Sequence, residues 1–158
     1  MRETVVNMLR HHRFVAEFEP RHIETLANLA NEVRFERDQV LFHEGDECTE
    51  FYLILNGLIA LEIAAPGHTF RVQTLFAGDE LGWSAVLMGR GKHFQARTLD
   101  RVDALAFEGS ELLAACHQDT LFGFTLMSRL LEVVAERLQA TRLQLLDTYS
   151  PIAARAGA

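Results

Sequence analysis

A glycine-containing stretch near the middle of the chain, residues 78–98, combines the residue types that bind a phosphate-like anion. Its sequence is GDELGWSAVLMGRGKHFQART. A glycine turn that enters a short helix presents backbone N–H groups, and a bound phosphate needs these groups together with a cationic side chain. Gly82 supplies the turn, and the cationic candidates are Arg90, Lys92 and Arg97. Arg97 has a second interpretation, as a structural residue that supports its own strand.

Catalytic chemistry has little support in the rest of the sequence. Glu44, Asp46 and Glu47 cluster, but they lie at a turn, where acidic residues are ordinary. The sequence has no Gly-x-Ser-x-Gly elbow, no Walker loop and no His-Glu-x-x-His motif. Ser84 has no evident base to activate it. We therefore expect no catalytic residues and no enzymatic activity.

Metal binding and disulfide bonding are also weakly indicated. Cys116 and His117 are adjacent, but a second Cys/His pair at zinc-like spacing is missing, so no metal site is expected. Two cysteines, Cys48 and Cys116, do not make a disulfide scaffold and indicate a reduced, cytoplasmic protein. Haem is an alternative cofactor, with His93 or His43 as an axial ligand.

Charge and hydropathy exclude several classes of partner. The 158 residues have a formal net charge of −7 and contain no long run of Lys or Arg, which argues against direct binding to nucleic acid. The N-terminus lacks the apolar core of a signal peptide. No run approaches the length of a membrane span, so no membrane partner is expected.

Hydrophobic periodicity divides the chain into three parts of one predicted domain, residues 1–149, which a short tail follows at 150–158. Residues 1–32 have helical spacing, 33–107 have the short segments and turns of strands, and 108–149 return to helical spacing.

The N-terminal part is predicted to contain two helices. Pro20 fits the first turn of the second helix. Phe14 and Phe18 are its expected packing anchors, whereas His11 and His12 are expected at the surface.

The central part predicts an all-β sandwich or barrel. Asn56-Gly57 between two apolar runs is a strong hairpin signal. The predicted strands are Val33–Phe35, Val40–Phe42, Glu50–Leu55, Leu58–Ile63, Phe70–Leu75, Phe94–Leu99 and Val102–Phe107.

The C-terminal part predicts a short helix, with Ser110 as its cap, and then a long helix over residues 121–149. The long helix has a narrow apolar seam, which favours pairing with a second copy in a homodimer. The alternative is that the helix folds back on its own barrel. The seam consists of Met127, Leu130, Val134, Leu138, Thr141 and Leu145.

Three segments resemble the cyclic-nucleotide-binding domain, best known as the sensor half of catabolite-activator-type regulators. They are LFHEGDECTEFYLILNGLIALEI at 41–63, LFAGDELG at 75–82 and AERLQATRLQLL at 135–146. The resemblance implies a mainly β fold with flanking helices: a double-stranded β-helix, or jelly-roll-like, barrel with N-terminal helices and a long C-terminal dimerisation helix. It also implies a cyclic nucleotide, cAMP or cGMP, as ligand.

The family's phosphate-binding cassette has the pattern Gly-Glu-Leu-Ala-Leu, a variable loop, and then Arg-Thr/Ser-Ala. Gly82 matches the glycine, whereas Trp83 replaces the glutamate and Ser84 follows it. After the loop, Lys92 replaces the arginine.

The remaining predicted ligand residues also depart from the pattern in part. His93 replaces the small hydroxyl residue and Phe94 replaces the alanine. On the long helix, Thr141 matches the base-contacting threonine, and Arg142 replaces the serine beside it.

These departures predict weaker or altered nucleotide binding. An indole offers only a hydrogen-bond donor, so Trp83 cannot accept a bond from the ribose hydroxyl. Lys92 keeps the positive charge but loses the two-pronged geometry of a guanidinium. The changes are expected to lower cyclic-nucleotide affinity by about a hundredfold or more. Another small anionic ligand is an alternative.

Two functions follow from the sequence. The first is a stand-alone ligand-sensing module that acts through a protein partner, since the short tail at 150–158 cannot form the DNA-reading domain of such regulators. The second is a ligand-free pseudo-sensor that serves as a dimeric scaffold for protein interaction.

Overall fold

The structure is a computed structural model that describes residues 2–47, 49–87 and 94–156. The described residues follow the predicted order of N-terminal helices, strands and C-terminal helices. The helices are α1 (Arg2–Arg10), a single 3-10 turn (Arg13–Val15), α2 (Pro20–Leu29), α3 (Ser84–Leu87), α4 (Gly109–Gln118) and α5 (Thr120–Ala156). The strands are β1 (Asn31–Phe35), β2 (Val40–Phe42), β3 (Glu50–Asn56), β4 (Ile59–Ala65), β5 (His68–Leu75), β6 (Glu80–Leu81), β7 (Gln95–Thr98) and β8 (Val102–Glu108).

The strands form two antiparallel four-stranded sheets, with the orders β1-β8-β3-β6 and β2-β7-β4-β5. The core between the sheets draws on both of them, as in a jelly roll, and the predicted fold class is confirmed. Its buried side chains are Tyr52, Ile54, Ile59, Leu61, Leu75, Leu81, Ala96, Val102, Ala104 and Ala106.

Strand β3 is buried on both faces. Tyr52 and Ile54 point into the core between the sheets. Because side chains alternate along a strand, Phe51 and Leu53 point to the opposite face, where they are also buried. The ring of Phe14, from the 3-10 turn, lies 5.4 Å from that of Phe51. The N-terminal helical segment therefore covers the outer face of this sheet.

The burial predicted for Phe14 and Phe18 is confirmed, whereas the surface position predicted for the histidine pair holds for only one of the two residues. Phe14 and Phe18 are buried, as predicted, with ring centroids 6.2 Å apart. His11 is exposed, but the prediction of a surface position for His12 is wrong, because His12 is only 4% exposed.

His12 is buried because both of its ring nitrogens have backbone partners. Nε2 donates to the Ile54 carbonyl oxygen at 3.0 Å, and Nδ1 accepts the Phe14 N–H at 3.1 Å. Burial is the main cause that lowers the pKa of His12 below its ordinary value. The neutral imidazole thus joins the start of the 3-10 turn to strand β3.

The prediction of a hairpin at Asn56-Gly57 is wrong. Strands β3 and β4, which flank this dipeptide, belong to different sheets and do not pair with each other. Gly57 has φ of +99°, and a Cβ there would lie 2.3 Å from the Arg101 carbonyl oxygen. At this dipeptide the chain therefore crosses from one sheet to the other and passes close to the backbone of Arg101. The two-residue hairpin lies instead at Pro66-Gly67, where Ala65 pairs with His68.

Several boundaries also differ from the prediction. β1 begins two residues earlier, and the two-residue strand β6 was not predicted. Ser110 is not the cap of α4: the helix begins at Gly109 with Glu108 at the cap position, and the Ser110 hydroxyl bonds the Glu108 carboxylate at 2.7 Å. Helix α5 extends to Ala156, so it includes most of the predicted tail.

The chain divides into two compact units, residues 1–123 and 124–158, with the division inside α5. Each unit is described by itself below. A single domain over residues 1–149 stays a prediction.

Replacing Gly57 with alanine should destabilise the protein more than the same change at Gly67. Both glycines have positive φ, +99° and +78°, so both alanines suffer the backbone strain of about 1 kcal/mol. Only at Gly57 does the new Cβ meet other atoms, whereas at Gly67 nothing lies within 4 Å. Overpacking should add about 1–3 kcal/mol at Gly57. Urea unfolding of both variants tests this, and equal losses would contradict the close approach of Arg101.

Candidate functional site

The glycine turn and short helix predicted for the cassette are both present. Strand β6 ends at Leu81, Gly82 has φ of +85°, and α3 begins at Ser84. The Gly82 carbonyl accepts the Ala85 N–H at 3.0 Å, and the Trp83 carbonyl accepts the N–H groups of Val86 and Leu87, each at 3.1 Å. A glycine suits the first of these positions because positive φ strains other residues. The turn therefore closes directly into α3.

The side chains of the turn differ in burial. Ser84 is 9% exposed, whereas Trp83 is half-buried and does not belong to the core between the sheets. Phe94, on the far side of the loop, is half-buried and packs against that core. Of the predicted ligand residues in this unit, Gly82, Trp83 and Ser84 are consecutive and Phe94 borders the barrel interior.

Lys92 and His93 lie outside the described residues, as do Arg90 and Cys48. The predicted phosphate cation therefore stays a prediction, and so does His93 as a ligand residue or haem ligand. His43, the other haem candidate, lies at an exposed turn, where its backbone N–H donates to Asp46 Oδ2 at 2.8 Å.

Thr141 and Arg142 lie on α5, in the unit of residues 124–158. Both are exposed, and the Thr141 hydroxyl donates to the Arg137 carbonyl oxygen one turn earlier, at 2.9 Å. The two ends of the predicted ligand site thus belong to different units, and a role for Thr141 and Arg142 in binding stays a prediction.

Gly109 is a functional candidate that the sequence reasoning missed. It is the first residue of α4, and a Cβ there would lie 2.2 Å from the Ala85 carbonyl oxygen. Helix α4 therefore begins in direct contact with the cassette helix α3. The local sequence gives no signal for this contact, because it depends on how the two helices meet in space.

Arg97 is a structural residue of the barrel, as its second interpretation held. Its Nε and Nη2 bind the two oxygens of Glu62 at 3.1 and 2.9 Å, and its Nη1 binds Asp38 at 3.1 Å. Such a guanidinium is already satisfied and is a poor candidate for binding an anion.

Glu62 is 5% exposed and depends on this pairing. The hydrogen bond from Arg97 is the main cause that lowers the pKa of Glu62. Because the pKa is lowered in the folded state, the stability gained from Glu62 is present above about pH 4.3 and is lost as pH falls through the folded-state pKa.

The turn at residues 82–84 enters α3. Six apolar side chains are partly buried and pack against the barrel core: Val33, Phe35, Leu41, Phe42, Val72 and Phe94. Across the described ranges, no group of three or more His, Cys, Asp or Glu residues is placed to hold a metal. Nor is any described helix long and apolar enough to span a membrane.

The sequence matches a known protein family. Residues 32–119 match the family described as the cyclic nucleotide-binding domain. No curated protein matches the chain.

Solved structures share the fold at low identity. A cyclic nucleotide-binding domain from Methylobacillus flagellatus is 18% identical, with a TM-score of 0.80 over 93% of this chain and 83% of that one. For a putative cyclic nucleotide-binding protein from Geobacter metallireducens the identity is 23%, the TM-score is 0.73, and the coverage is 84% and 96%. The regulatory subunit of a cAMP-independent protein kinase A from Trypanosoma cruzi, bound to guanosine, is 16% identical, with a TM-score of 0.72 over 94% of this chain and 51% of that chain.

Replacing Arg97 with methionine should cost roughly 3 kcal/mol of stability, because it leaves the Glu62 carboxylate buried without its partner. Converting Glu62 to glutamine in the same chain should recover part of that loss. Arg34→Met is the matched control, since the Arg34–Asp103 pair is more exposed and should be worth less than about 1 kcal/mol. Urea unfolding at pH 7 measures all three, and equal losses for the two arginine variants would contradict the structural role of Arg97.

Proposed function

Because the chain belongs to the cyclic nucleotide-binding domain family, we propose that it is a ligand-sensing regulatory module that acts through a protein partner. We further propose that its binding of cAMP and cGMP is weak, or that it binds a related ligand in their place.

The observation that supports altered binding is Trp83. It follows Gly82 directly and precedes α3, at the position where the family pattern has a glutamate. A carboxylate there would accept a hydrogen bond from a ribose hydroxyl, whereas an indole can only donate. A ribose hydroxyl that loses its acceptor costs about 1–3 kcal/mol of binding free energy.

The contact between Gly109 and Ala85 supports a sensing role. A ligand at the turn of residues 82–84 would act on α3, and α4 begins against α3 with no side chain between them. Tight packing of this kind transmits small shifts rather than absorbing them. Ligand binding is therefore expected to change the position of α4, which a partner could recognise.

Proteins of the same fold are described with different ligands. The Trypanosoma cruzi regulatory subunit is described as cAMP-independent and bound to guanosine, and a regulator from Xanthomonas campestris is described as responsive to c-di-GMP. A screen of ligands for this chain should therefore extend beyond cAMP and cGMP to nucleosides and small anions.

The partner is proposed to be a protein rather than nucleic acid. The net charge of −7 would repel a phosphate backbone, and nucleic-acid binding depends strongly on neutralising that charge.

Isothermal titration with cAMP, cGMP and guanosine tests the proposed ligand preference. We expect Kd values for both cyclic nucleotides to be weaker than about 1 μM, given the missing carboxylate. The paired substitution Trp83→Glu and Lys92→Arg restores the family pattern, and it should tighten cAMP or cGMP binding by about tenfold or more.

Leu87→Glu is the matched control for that titration. It adds the same carboxylate four residues later, on α3, at a position that is 41% exposed, and it should leave nucleotide affinity unchanged. Sub-micromolar binding of either cyclic nucleotide by the native chain would overturn the proposal of weak binding.

The second candidate function, a dimeric scaffold without ligand, is favoured by α5. Four large apolar residues, spaced seven apart, are exposed on this helix: Phe124 (74%), Leu131 (68%), Leu138 (52%) and Leu145 (60%). We call this set the exposed row. A seven-residue repeat keeps side chains on one face of a helix and is typical of helix pairing.

The exposed row revises the predicted seam. It keeps Leu138 and Leu145, and Phe124 and Leu131 take the place of the other predicted seam residues, Met127, Leu130, Val134 and Thr141. Of these four, Leu130 is fully buried. We propose that the exposed row pairs with its copy in a homodimer, in either candidate function.

Leu138→Asp should therefore weaken the homodimer by at least tenfold, because it puts a charge into the proposed apolar interface. Leu143→Asp is the matched control: Leu143 is also 52% exposed on α5 but lies outside the exposed row. Analytical ultracentrifugation over a concentration series measures both. A monomeric native chain, or equal effects of the two substitutions, would contradict pairing through the exposed row.

A further inference from the structure

A groove crosses the end of strand β3 beside α1, away from the cassette turn. It consists of two adjoining clefts of about 470 and 400 Å³, which share the side chains of Met8, Leu55 and Asn56. The residues that line both clefts belong to the unit of residues 1–123, and none of them lies in the described part of the cassette. Clefts of this size are typical of binding sites.

A β-bulge at Leu55 shapes the floor of the groove. Ile54 pairs with Ala104 and Asn56 pairs with the adjacent Asp103, so Leu55 is an extra residue without a counterpart in β8. A bulge bends its strand and redirects a side chain, and bulges are common beside functional sites. This bulge lies where the two clefts meet, so the middle of the groove is determined by the strand pairing itself.

The middle of the groove is apolar. Met8 and Leu55 are half-buried there, and Ala77 and Val33 continue the apolar lining into the larger and the smaller cleft. Phe76, which directly precedes Ala77, is 54% exposed. Aromatic residues are enriched in protein interfaces and are often the residues that contribute most to binding. An exposed ring next to the groove therefore favours a protein segment over a small molecule as the occupant.

The two ends of the groove differ in charge. In the larger cleft Arg13 is 66% exposed, whereas Asp79, with which its Nη2 pairs, is 21% exposed, so a partner meets the guanidinium and its other N–H donors. In the smaller cleft Arg34 binds Asp103 at 2.8 Å, which leaves Glu32 as an exposed carboxylate without a partner among the described residues. A complementary occupant is therefore acidic at the Arg13 end and basic at the Glu32 end.

We propose that this groove is the surface on which the partner protein docks. The occupant is a short segment of that protein in which apolar residues lie between one acidic and one basic residue. This inference rests on the proposed function, in which the module acts through a protein partner.

The position of the groove fits a role in regulation. Ala77 and Gly78, which line the larger cleft, form the turn between β5 and β6, and the Gly78 N–H donates to the Ile54 carbonyl oxygen at 2.9 Å. The chain reaches Gly82 four residues after this turn glycine. A docked segment therefore lies against the turn from which the chain enters the cassette.

Selection from a random dodecapeptide library on the full native chain tests the groove. Enriched peptides should share apolar residues between an acidic and a basic residue. On Glu32→Lys the basic residue should give way to an acidic one, because the charge at that end of the groove is reversed. Glu17→Lys is the matched control, since Glu17 is exposed and does not line either cleft, and it should select the same pattern as the native chain.

Fluorescence anisotropy with the most enriched peptide measures the contribution of the charge. Glu32→Lys should weaken binding of this peptide by about tenfold, because an attraction becomes a repulsion. Glu17→Lys should leave the Kd unchanged. A peptide in which the acidic and basic residues are exchanged should bind the native chain more weakly than the original.

Methyl NMR of the methionines locates the bound peptide. Met8 lines both clefts, whereas Met127 lies on α5 and lines neither of them. The peptide should shift the Met8 methyl signal and leave the Met127 signal in place. Met8→Leu, a substitution that nearly conserves volume, identifies the Met8 signal by its loss.

An unchanged Met8 signal, or equal affinities of the native chain and Glu32→Lys, would place the peptide elsewhere and overturn the groove as the docking surface. Either result would leave the proposed protein partner standing. A selection that enriches no peptide would also overturn the groove. None of these results bears on ligand sensing, which the nucleotide titration tests separately.

Discussion

The burial of strand β3 on both faces is the constraint on which the rest of the structure depends. Tyr52 and Ile54 face the second sheet, while Phe51 and Leu53 are buried on the opposite face, where the ring of Phe51 lies next to that of Phe14 in the helical segment. A strand with two dry faces can place its backbone groups only in ladders or against buried partners. The Ile54 carbonyl illustrates this, because it accepts the N–H groups of His12 Nε2 and of Gly78. The turn that leads toward the cassette is thereby tied to the same strand that holds the N-terminal segment.

Local chemistry predicted much of this fold. Period-two hydrophobicity, Pro20 at the start of α2 and the spacing of turns were enough for the mainly β class with flanking helices. Asn56-Gly57 shows where local chemistry stops: a dipeptide can specify a turn, but not whether the next strand joins the same sheet. His11 and His12 show a second limit, since adjacent residues point in different directions and only tertiary packing decides which is buried. The burial of His22 on α2 could have been predicted, because His22, Leu26 and Leu29 share helical spacing on one face.

The turn and short helix of the candidate site were predictable from the sequence, but the packing and pairing of its side chains were not. Gly82 and the short helix follow from a glycine turn that precedes an apolar segment, and the structure contains both. That Trp83 is half-buried and lies outside the core between the sheets depends on side-chain packing that no local pattern encodes. Arg97 illustrates the same limit. Its position among other cationic residues suggested that it binds an anionic ligand, but its guanidinium binds the buried carboxylate of Glu62, 35 residues earlier in the chain. The distinction between a free and an engaged cation is tertiary information.

Gly109 has a consequence for comparisons among relatives. A Cβ at Gly109 would lie 2.2 Å from the Ala85 carbonyl oxygen, so the absence of a side chain is what lets α4 begin this close to Ala85. A relative with alanine or a larger residue at the equivalent position must hold its two helices farther apart. The identity of that one residue therefore indicates how closely the cassette helix α3 packs against α4. Family members with glycine at this position would hold the two helices in close contact, and members with a larger residue would not, even where their ligand-binding residues are the same.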